Sequence, residues 1–133
     1  GGAVVTGVGL GIANISVVRD ADTIVADVDL PFGVTLRQQE FRPNNYDAWE
    51  VSKRRVATPT VTDAEVFKGK VARIAFIALL TTGDLYVVPP PGRQRDVYGR
   101  LLGAWWLRTP DGSWLSIATW ARENGHTRDK DGR

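Results

Sequence analysis

The sequence predicts a single domain of the α+β class that is mainly β, and three observations carry this prediction. The chain has 133 residues, a length at which one hydrophobic core suffices and two cores would each be too small to bury their own surface. Apolar and polar residues alternate in several short runs, which is typical of strands, and only one long segment has a helical period. We expect residues 1–126 to form the domain and residues 127–133 to be a polar tail.

Three strands are predicted in the first third of the chain, at residues 8–18, 23–30 and 34–42. In the first strand, apolar residues alternate with glycines, and glycine within a strand often marks a bend. Pro31-Phe32-Gly33 has the composition of a turn between the second and third strands. The segment from residue 42 to residue 59 is polar and contains Pro43 and two asparagines, which indicates an exposed loop.

A helix is predicted from about Asp63 to Leu80. Thr62 followed by Glu65 forms a capping box, because the two side chains can satisfy free N–H groups of the first helical turn. One apolar face has the spacing i, i+4, i+7 and i+11, and its members are Phe67, Val71, Ile74 and Ala78. This spacing is that of an amphipathic helix.

The last third of the chain returns to short strands. Residues 84–88 form a strand that ends at three consecutive prolines, a hairpin joins residues 101–108 to residues 113–115, and Ser116 caps a short final helix. This order of elements predicts an OB-type five-stranded Greek-key barrel, with one long helix between strands 3 and 4 and a short C-terminal helix. Barrels of this type bind oligonucleotides on one face.

The composition excludes several kinds of chemistry. The chain has no cysteine and a single histidine, His126, so disulfides, thiolate metal sites and multi-histidine metal sites are excluded. Thirteen of the 17 basic residues are arginines; they indicate a phosphate-bearing partner or are spread over a solvated surface, and composition leaves both open. We expect a soluble chain, since no apolar run approaches the roughly 20 residues of a membrane span and the N-terminus lacks a signal-peptide pattern.

Three separated segments contain acidic residues at fixed spacings, and two of them also contain arginine. They are Asp20-Ala21-Asp22-Thr23, the segment Arg42 to Glu50 that includes Asp47, and Asp96-Val97-Tyr98-Gly99-Arg100. In their order and spacing these segments resemble those of the staphylococcal nuclease family, over roughly residues 15–125. The resemblance implies calcium-dependent cleavage of phosphodiester bonds in DNA, RNA or both, with little sequence preference.

The resemblance also implies roles for individual residues. Asp22 and Asp47 would be carboxylate ligands of one Ca²⁺, together with the main-chain carbonyl of Ala48, and oxygen ligands are those that calcium prefers. Glu50 would be the general base that activates the attacking water. Arg42 and Arg100 would stabilise the charge that grows on the phosphate, whereas the structural alternative is surface ion pairing.

Four further residues are candidate contacts to the nucleic acid. Tyr98 matches an aromatic residue of the family motif, and it would stack on a base or contact phosphate, or else pack at the rim of the barrel. The basic cluster Lys53-Arg54-Arg55 would attract the polyanion through its charge, or would be a solvated loop. These contacts carry no sequence information.

The sequence departs from the family pattern near the proposed base. Trp49 stands where the family usually has proline, so packing must hold the segment that presents Glu50. A second class of function therefore stays open, in which the chain is a non-catalytic module that binds nucleic acid or serves as a structural component of a larger assembly such as a virion. Catalysis is favoured because every charged member of the motif is present.

Overall fold

The computed structural model describes residues 9–51 and 62–128. These residues form six strands and two helices. The strands are β1 (Leu10–Asp20), β2 (Thr23–Leu30), β3 (Val34–Pro43), β4 (Asp84–Val88), β5 (Leu101–Arg108) and β6 (Trp114–Ser116), and the helices are α1 (Asp63–Leu80) and α2 (Ile117–Glu123). None of the helices in these ranges combines the length and the apolar character that crossing a membrane requires.

Five of the strands close into a mixed barrel. The strand order is β3-β2-β1-β4-β5-β6, and an additional pairing of β3 with β5 joins the two sides. Every pairing is antiparallel except that of β3 with β5, which is parallel. The mainly β architecture is consistent with an OB-like barrel, as the sequence predicts, and β6 extends the sheet as the second strand of a hairpin.

The long strand β1 explains how so small a sheet closes. It pairs with β2 and β4, and its pairing with β2 shifts register at three places. Such irregularities bend a strand and increase its twist, so β1 can serve both neighbours. Asn14 and Ser16 add side-chain hydrogen bonds to residues of β2, the first to Asp27 and the second to the Val25 carbonyl, both at 3.3 Å.

Helix α1 has the bounds that the capping box predicts. The Thr62 hydroxyl accepts a hydrogen bond from the Glu65 N–H at 3.1 Å. The apolar face found by periodicity is not the buried one: Phe67 is 69% exposed and Ile74 is 67% exposed. The helix instead buries Gly69, Ala72 and Phe76.

Small residues explain why α1 buries this face. A Cβ atom on Gly69 would lie 2.1 Å from the Glu50 carbonyl oxygen, so only glycine allows the helix to approach the Trp49–Glu50 backbone this closely. About two turns further on, Phe76 stacks on the core residue Trp105 with ring centroids 5.6 Å apart. Periodicity identifies apolar positions, but the close backbone approach decides which of them are covered.

The end of β3 and the start of the predicted tail differ from the sequence prediction. Strand β3 continues through Pro43, which is buried and pairs with Gly103. The proline has no N–H, and the next residue continues the pairing because the Asn44 N–H donates to the Gly103 carbonyl at 3.1 Å. The predicted tail begins with ordered residues: Thr127 bridges Ala48, and the Arg128 N–H donates to the Asp47 carbonyl at 2.9 Å.

Candidate functional site

The parallel pairing of β3 with β5 brings two distant motifs together. Phe41 pairs with Leu101 and Arg42 pairs with Leu102. Since Phe41 is buried in the core and side chains alternate along a strand, Glu40 and Arg42 point to the opposite, outer face. Arg100 lies on that face too, because its Nη1 atom is 4.0 Å from Glu40 Oε2. The two predicted arginines therefore share one face of the barrel.

The turn between β1 and β2 brings the first motif to the same end of β3. Asp22 lies in this turn and is 2% exposed. One of its carboxylate oxygens accepts a hydrogen bond from the Ala48 N–H at 2.8 Å, and the other accepts one from the Thr23 hydroxyl at 3.1 Å. The Asp22 carboxylate is thus fixed beside the backbone that follows Asp47.

Arg42 lies between the two predicted calcium ligands. Its Nη1 atom is 3.3 Å from Asp22 Oδ2, and its Nη2 atom donates a hydrogen bond to Asp47 Oδ1. Asp22, Asp47 and Ala48 are therefore adjacent, as the resemblance implies. The positive charge between the two carboxylates is the guanidinium of Arg42.

A third carboxyl group, Asp20, belongs to this cluster and was not among the predicted site residues. Its Oδ1 atom accepts a hydrogen bond from the Asp22 N–H at 3.2 Å. Burial, together with the neighbouring Asp22 carboxylate, raises the pKa of Asp20 to about 8. The sequence feature that could have identified Asp20 is the pair of aspartates, separated by one residue, at the β1–β2 turn.

Tyr46 fastens this turn to the segment of Asp47. The buried phenol donates a hydrogen bond to the Ala21 carbonyl, and its ring lies edge-on to Trp105 at a centroid distance of 6.3 Å. Burial raises the pKa of the Tyr46 phenol well above its usual value, so the group stays neutral and remains a donor. One aromatic side chain thus connects Asp22 and Asp47 to the core.

Arg100 is held by its own loop. Its Nε atom is 2.6 Å from Asp96 Oδ2, while Asp96 Oδ1 accepts the N–H groups of Tyr98 and Arg100, each at 2.9 Å. Burial favours a higher pKa for Asp96, but these hydrogen bonds and the Arg100 charge outweigh it and lower the pKa below its usual value. The Asp96 carboxylate is therefore ionised and orients the guanidinium.

Tyr98 is exposed beside this guanidinium. The residue is 78% exposed, and the Arg100 guanidinium carbon lies 5.3 Å from the centre of its ring. A stacked guanidinium and ring present both a cation and an aromatic face to solvent. This location favours the contact role over packing at the barrel rim.

Contacts with α1 and with the residue after Asn124 hold the segment of Trp49 and Glu50. The Trp49 indole donates to the Gly125 carbonyl at 3.1 Å, and Lys68 Nζ lies 4.6 Å from the centre of the Trp49 ring. The Glu50 N–H donates to Glu65 Oε2 at 3.3 Å. The loop is thereby tied to both α1 and the residues that follow α2.

Arg128 lies beside Glu50, and sequence reasoning assigned it to the tail. Its guanidinium nitrogens are 3.9 Å from Glu50 Oε2 and 3.7 Å from Glu65 Oε2. No local pattern marks this residue, because its partners lie more than 60 residues away in the chain. The basic cluster Lys53-Arg54-Arg55 falls outside the described residues.

A cleft of about 310 Å³ opens beside Arg42 and Asp47, and its remaining wall is formed by Pro43, Asn44, Asn45, Tyr46 and Leu102. Within residues 9–51 and 62–128, no three His, Cys, Asp or Glu side chains are arranged to hold a metal ion. The adjacent oxygen donors are the Asp22 and Asp47 carboxylates and the Ala48 backbone. These are hard donors that suit calcium, with Arg42 as their present positive partner.

The site therefore combines the buried Asp22 carboxylate, the partly exposed Asp47 carboxylate, two arginines on one outer face and an adjacent cleft. A phosphate group carries the complementary charge, and arginine matches its geometry. Neither the family models nor the curated proteins compared with this chain match it.

Proposed function

We propose that this protein is a calcium-dependent nuclease of the staphylococcal nuclease type, built on an OB-type Greek-key barrel, that hydrolyses phosphodiester bonds of DNA, RNA or both with little sequence preference. The observation that carries the proposal is the convergence of Arg42 and Arg100, 58 positions apart in the sequence, on one face of the barrel beside Asp22 and Asp47. Ion pairs scattered over a surface would not require this convergence.

The two arginines would bind and stabilise the reacting phosphate. A preorganised cation is most effective where negative charge grows, and the cleft beside Arg42 leaves room for a nucleotide. Arg100 is already oriented by Asp96, with Tyr98 available to stack on a neighbouring base. Arg42 is engaged by Asp22 and Asp47, so it becomes available to phosphate when another cation neutralises those carboxylates.

Asp22, Asp47 and the Ala48 carbonyl would hold Ca²⁺. A bound Ca²⁺ supplies positive charge at the phosphate and orients a water molecule. Crowding of the Asp20 and Asp22 carboxyls supports a cation at this place, because two adjacent buried carboxylates repel each other unless a proton or a cation lies between them.

Glu50 would accept the proton of the attacking water. The water oxygen forms the new bond to phosphorus, the proton passes to the Glu50 carboxylate, and the phosphorus–oxygen bond to the leaving nucleotide breaks. Arg128 and Glu65 support this role by fixing the segment that carries Glu50. Arg128 pairs with the Glu50 carboxylate and Glu65 accepts the Glu50 N–H, so the side chain and the backbone of the proposed base are both constrained.

A non-catalytic nucleic-acid-binding module, with a place in a larger assembly such as a virion, is the second candidate. The observation that favours it is Arg42, which already neutralises the carboxylates that would bind calcium. In such a module the same arginines would bind backbone phosphate without cutting it. The two candidates differ in whether calcium changes the fate of the nucleic acid.

The test is digestion of plasmid, denatured DNA and RNA with Ca²⁺ or with excess chelator. We expect cleavage in Ca²⁺ only. Asp47→Asn should remove this cleavage. The control is Asp84→Asn, which changes an exposed aspartate in β4 and should leave cleavage intact. Cleavage that persists in chelator would refute the metal-dependent mechanism. Binding of the same substrates without cleavage in any divalent cation would establish the non-catalytic module instead.

A further inference from the structure

Helix α1 exposes a row of apolar side chains, which we call the α1 stripe: Phe67, Val71, Ile74, Ile77 and Ala78. The four larger members are 69%, 43%, 67% and 39% exposed, in that order. At 3.6 residues per turn, most of the stripe lies about 180° around the helix from the buried residues Gly69, Ala72 and Phe76. The helix is thus apolar on two opposite sides.

Such a helix is suited to burial on both sides. A surface helix normally carries polar residues opposite its buried face, and a helix that is apolar all round is normally covered. Single exposed apolar residues are common, but adjacent ones along one helix form a patch of the kind that marks an interaction surface. The described residues, 9–51 and 62–128, leave the stripe uncovered, and it therefore indicates a binding partner.

The stripe continues into a groove between α1 and β1. This groove has a volume of about 270 Å³ and is lined by Ile15, Val18, Ile77, Leu80 and Thr81. Ile77 belongs to both the stripe and the groove. A concave site next to a ridge fits the projecting side chains of another helix, whereas a flat lipid surface would leave the groove unfilled.

The charges around the stripe are mainly positive. Helix α1 has three cations, Lys68, Lys70 and Arg73, and its two acidic residues, Asp63 and Glu65, lie in the first turn, where Glu65 pairs with Arg128. A second copy of this chain that docked through the same stripe would bring two such groups of cations together. Charge complementarity instead favours a partner with acidic residues beside its apolar ones.

We propose that the α1 stripe and its groove bind an amphipathic helix of a partner protein, with apolar residues at i, i+3 or i+4 and i+7 and with acidic residues on both flanks. The apolar side chains of that helix pack on Phe67 and Ile74 and enter the groove at Ile77. Its carboxylates face Lys68, Lys70 and Arg73. This interaction is independent of the nuclease proposal, because the stripe faces away from Glu50.

The probe is a pair of labelled peptides of about 18 residues, five helical turns, with leucines on one face. One carries glutamates beside the leucines and the other carries lysines at the same positions. We expect the glutamate peptide to bind at least about tenfold more tightly than the lysine peptide, a difference of about 1.4 kcal/mol. Fluorescence anisotropy at low salt measures both affinities.

Two variants and one control locate the interaction. Ile74→Glu should abolish binding of the glutamate peptide, and its circular dichroism should match the wild type because Ile74 is exposed. Lys70→Glu should weaken binding of the glutamate peptide and strengthen binding of the lysine peptide. A variant that merely failed to fold could not bind the lysine peptide more tightly. Phe32→Ser removes an aromatic side chain that is 100% exposed in the β2–β3 turn, and it should change neither affinity.

Four results would overturn the proposal: no binding of either peptide, equal binding of both, preferential binding to phosphatidylglycerol vesicles, or a dimer in sedimentation that Ile74→Glu dissociates. The last two would assign the stripe to a membrane surface or to a second copy of the chain.

Discussion

The two arginines of the site are held in different ways. Arg100 is oriented by Asp96, four residues earlier in the same loop, at 2.6 Å. Arg42 is held by Asp47, five residues later in the same segment, and by Asp22 of the distant β1–β2 turn, and both carboxylates are proposed calcium ligands. The Arg100 side is therefore preformed by local sequence, whereas the Arg42 side also depends on the tertiary contact with Asp22, which a bound cation would change.

The largest expected effect is the loss of either arginine. Arg42→Ala and Arg100→Ala should each slow cleavage by about 10²–10³-fold, because each removes a preorganised charge from the reacting phosphate. Single-turnover rates at saturating substrate measure this loss. An arginine whose alanine variant keeps the full rate would belong to a structural ion pair.

Thermal unfolding with and without Ca²⁺ distinguishes the two sides. Arg42→Ala removes the guanidinium beside the buried Asp22 carboxylate, so Ca²⁺ should raise the melting temperature of this variant by more than that of the wild type. Arg100→Ala leaves Asp22 paired with Arg42, so Ca²⁺ should raise the melting temperature of this variant by as much as that of the wild type. If Ca²⁺ raised the melting temperature of both variants equally, the Arg42 side would not depend on the cation more than the Arg100 side.

A substitution in α1 should disturb the segment that carries Glu50. Gly69→Ala would normally stabilise a helix, but here the new methyl group would meet the Glu50 carbonyl, and we expect a loss of about 1–3 kcal/mol. Displacement of Glu50 should also slow cleavage. Urea unfolding measures the first effect, and Ala75→Gly in the same helix is the control, since it should lose about 1 kcal/mol of stability without slowing cleavage.

A smaller effect is expected for Tyr46→Phe. The substitution removes the hydroxyl that donates to the Ala21 carbonyl, and one such hydrogen bond contributes about 1 kcal/mol. The Asp22 turn should loosen, so the Ca²⁺ concentration for half-maximal cleavage should rise about fivefold, while the rate at saturating Ca²⁺ changes little. An unchanged Ca²⁺ requirement would show that Tyr46 does not position the turn.

The smallest effect concerns the Arg100 side at acid pH. Because the folded pKa of Asp96 is lowered, its stabilising contribution is complete above the usual aspartate pKa of 3.8 and is lost as pH falls through the folded value. Asp96→Asn should remove this part of the acid-induced loss of stability. Unfolding free energies at pH 5 and pH 3 should therefore differ less in the variant than in the wild type.

Local patterns predicted some features of the structure and failed for others. The capping box placed α1 correctly, because Thr62 and Glu65 act within one helical turn. The buried face of α1 was missed, because it depends on how closely Gly69 approaches Glu50, a contact between distant segments. Exposed apolar residues such as Phe67 and Ile74 obey the same period as a core face, so periodicity alone cannot separate the two.

In the candidate site, too, local motifs identified some residues, and residues brought together only by the fold were missed. The resemblance to a known family selected Asp22, Arg42, Asp47 and Arg100, and the structure brings them to one end of the barrel. Arg128 could not be found in this way, because its contacts with Glu50 and Glu65 exist only after the barrel closes. Non-local pairing of β3 with β5 has no short sequence signal either, although the site depends on it.

The most direct test of the central claim is single-turnover cleavage of a labelled oligonucleotide in Ca²⁺ by the wild type, Glu50→Gln and the control Glu123→Gln, an exposed residue of α2. A base acts only in the chemical step, so Glu50→Gln should lose at least about 10²-fold in rate. Its oligonucleotide affinity and melting temperature should match those of the wild type and the control. Full cleavage by Glu50→Gln, or a wild type that binds the oligonucleotide in Ca²⁺ and never cuts it, would contradict the account.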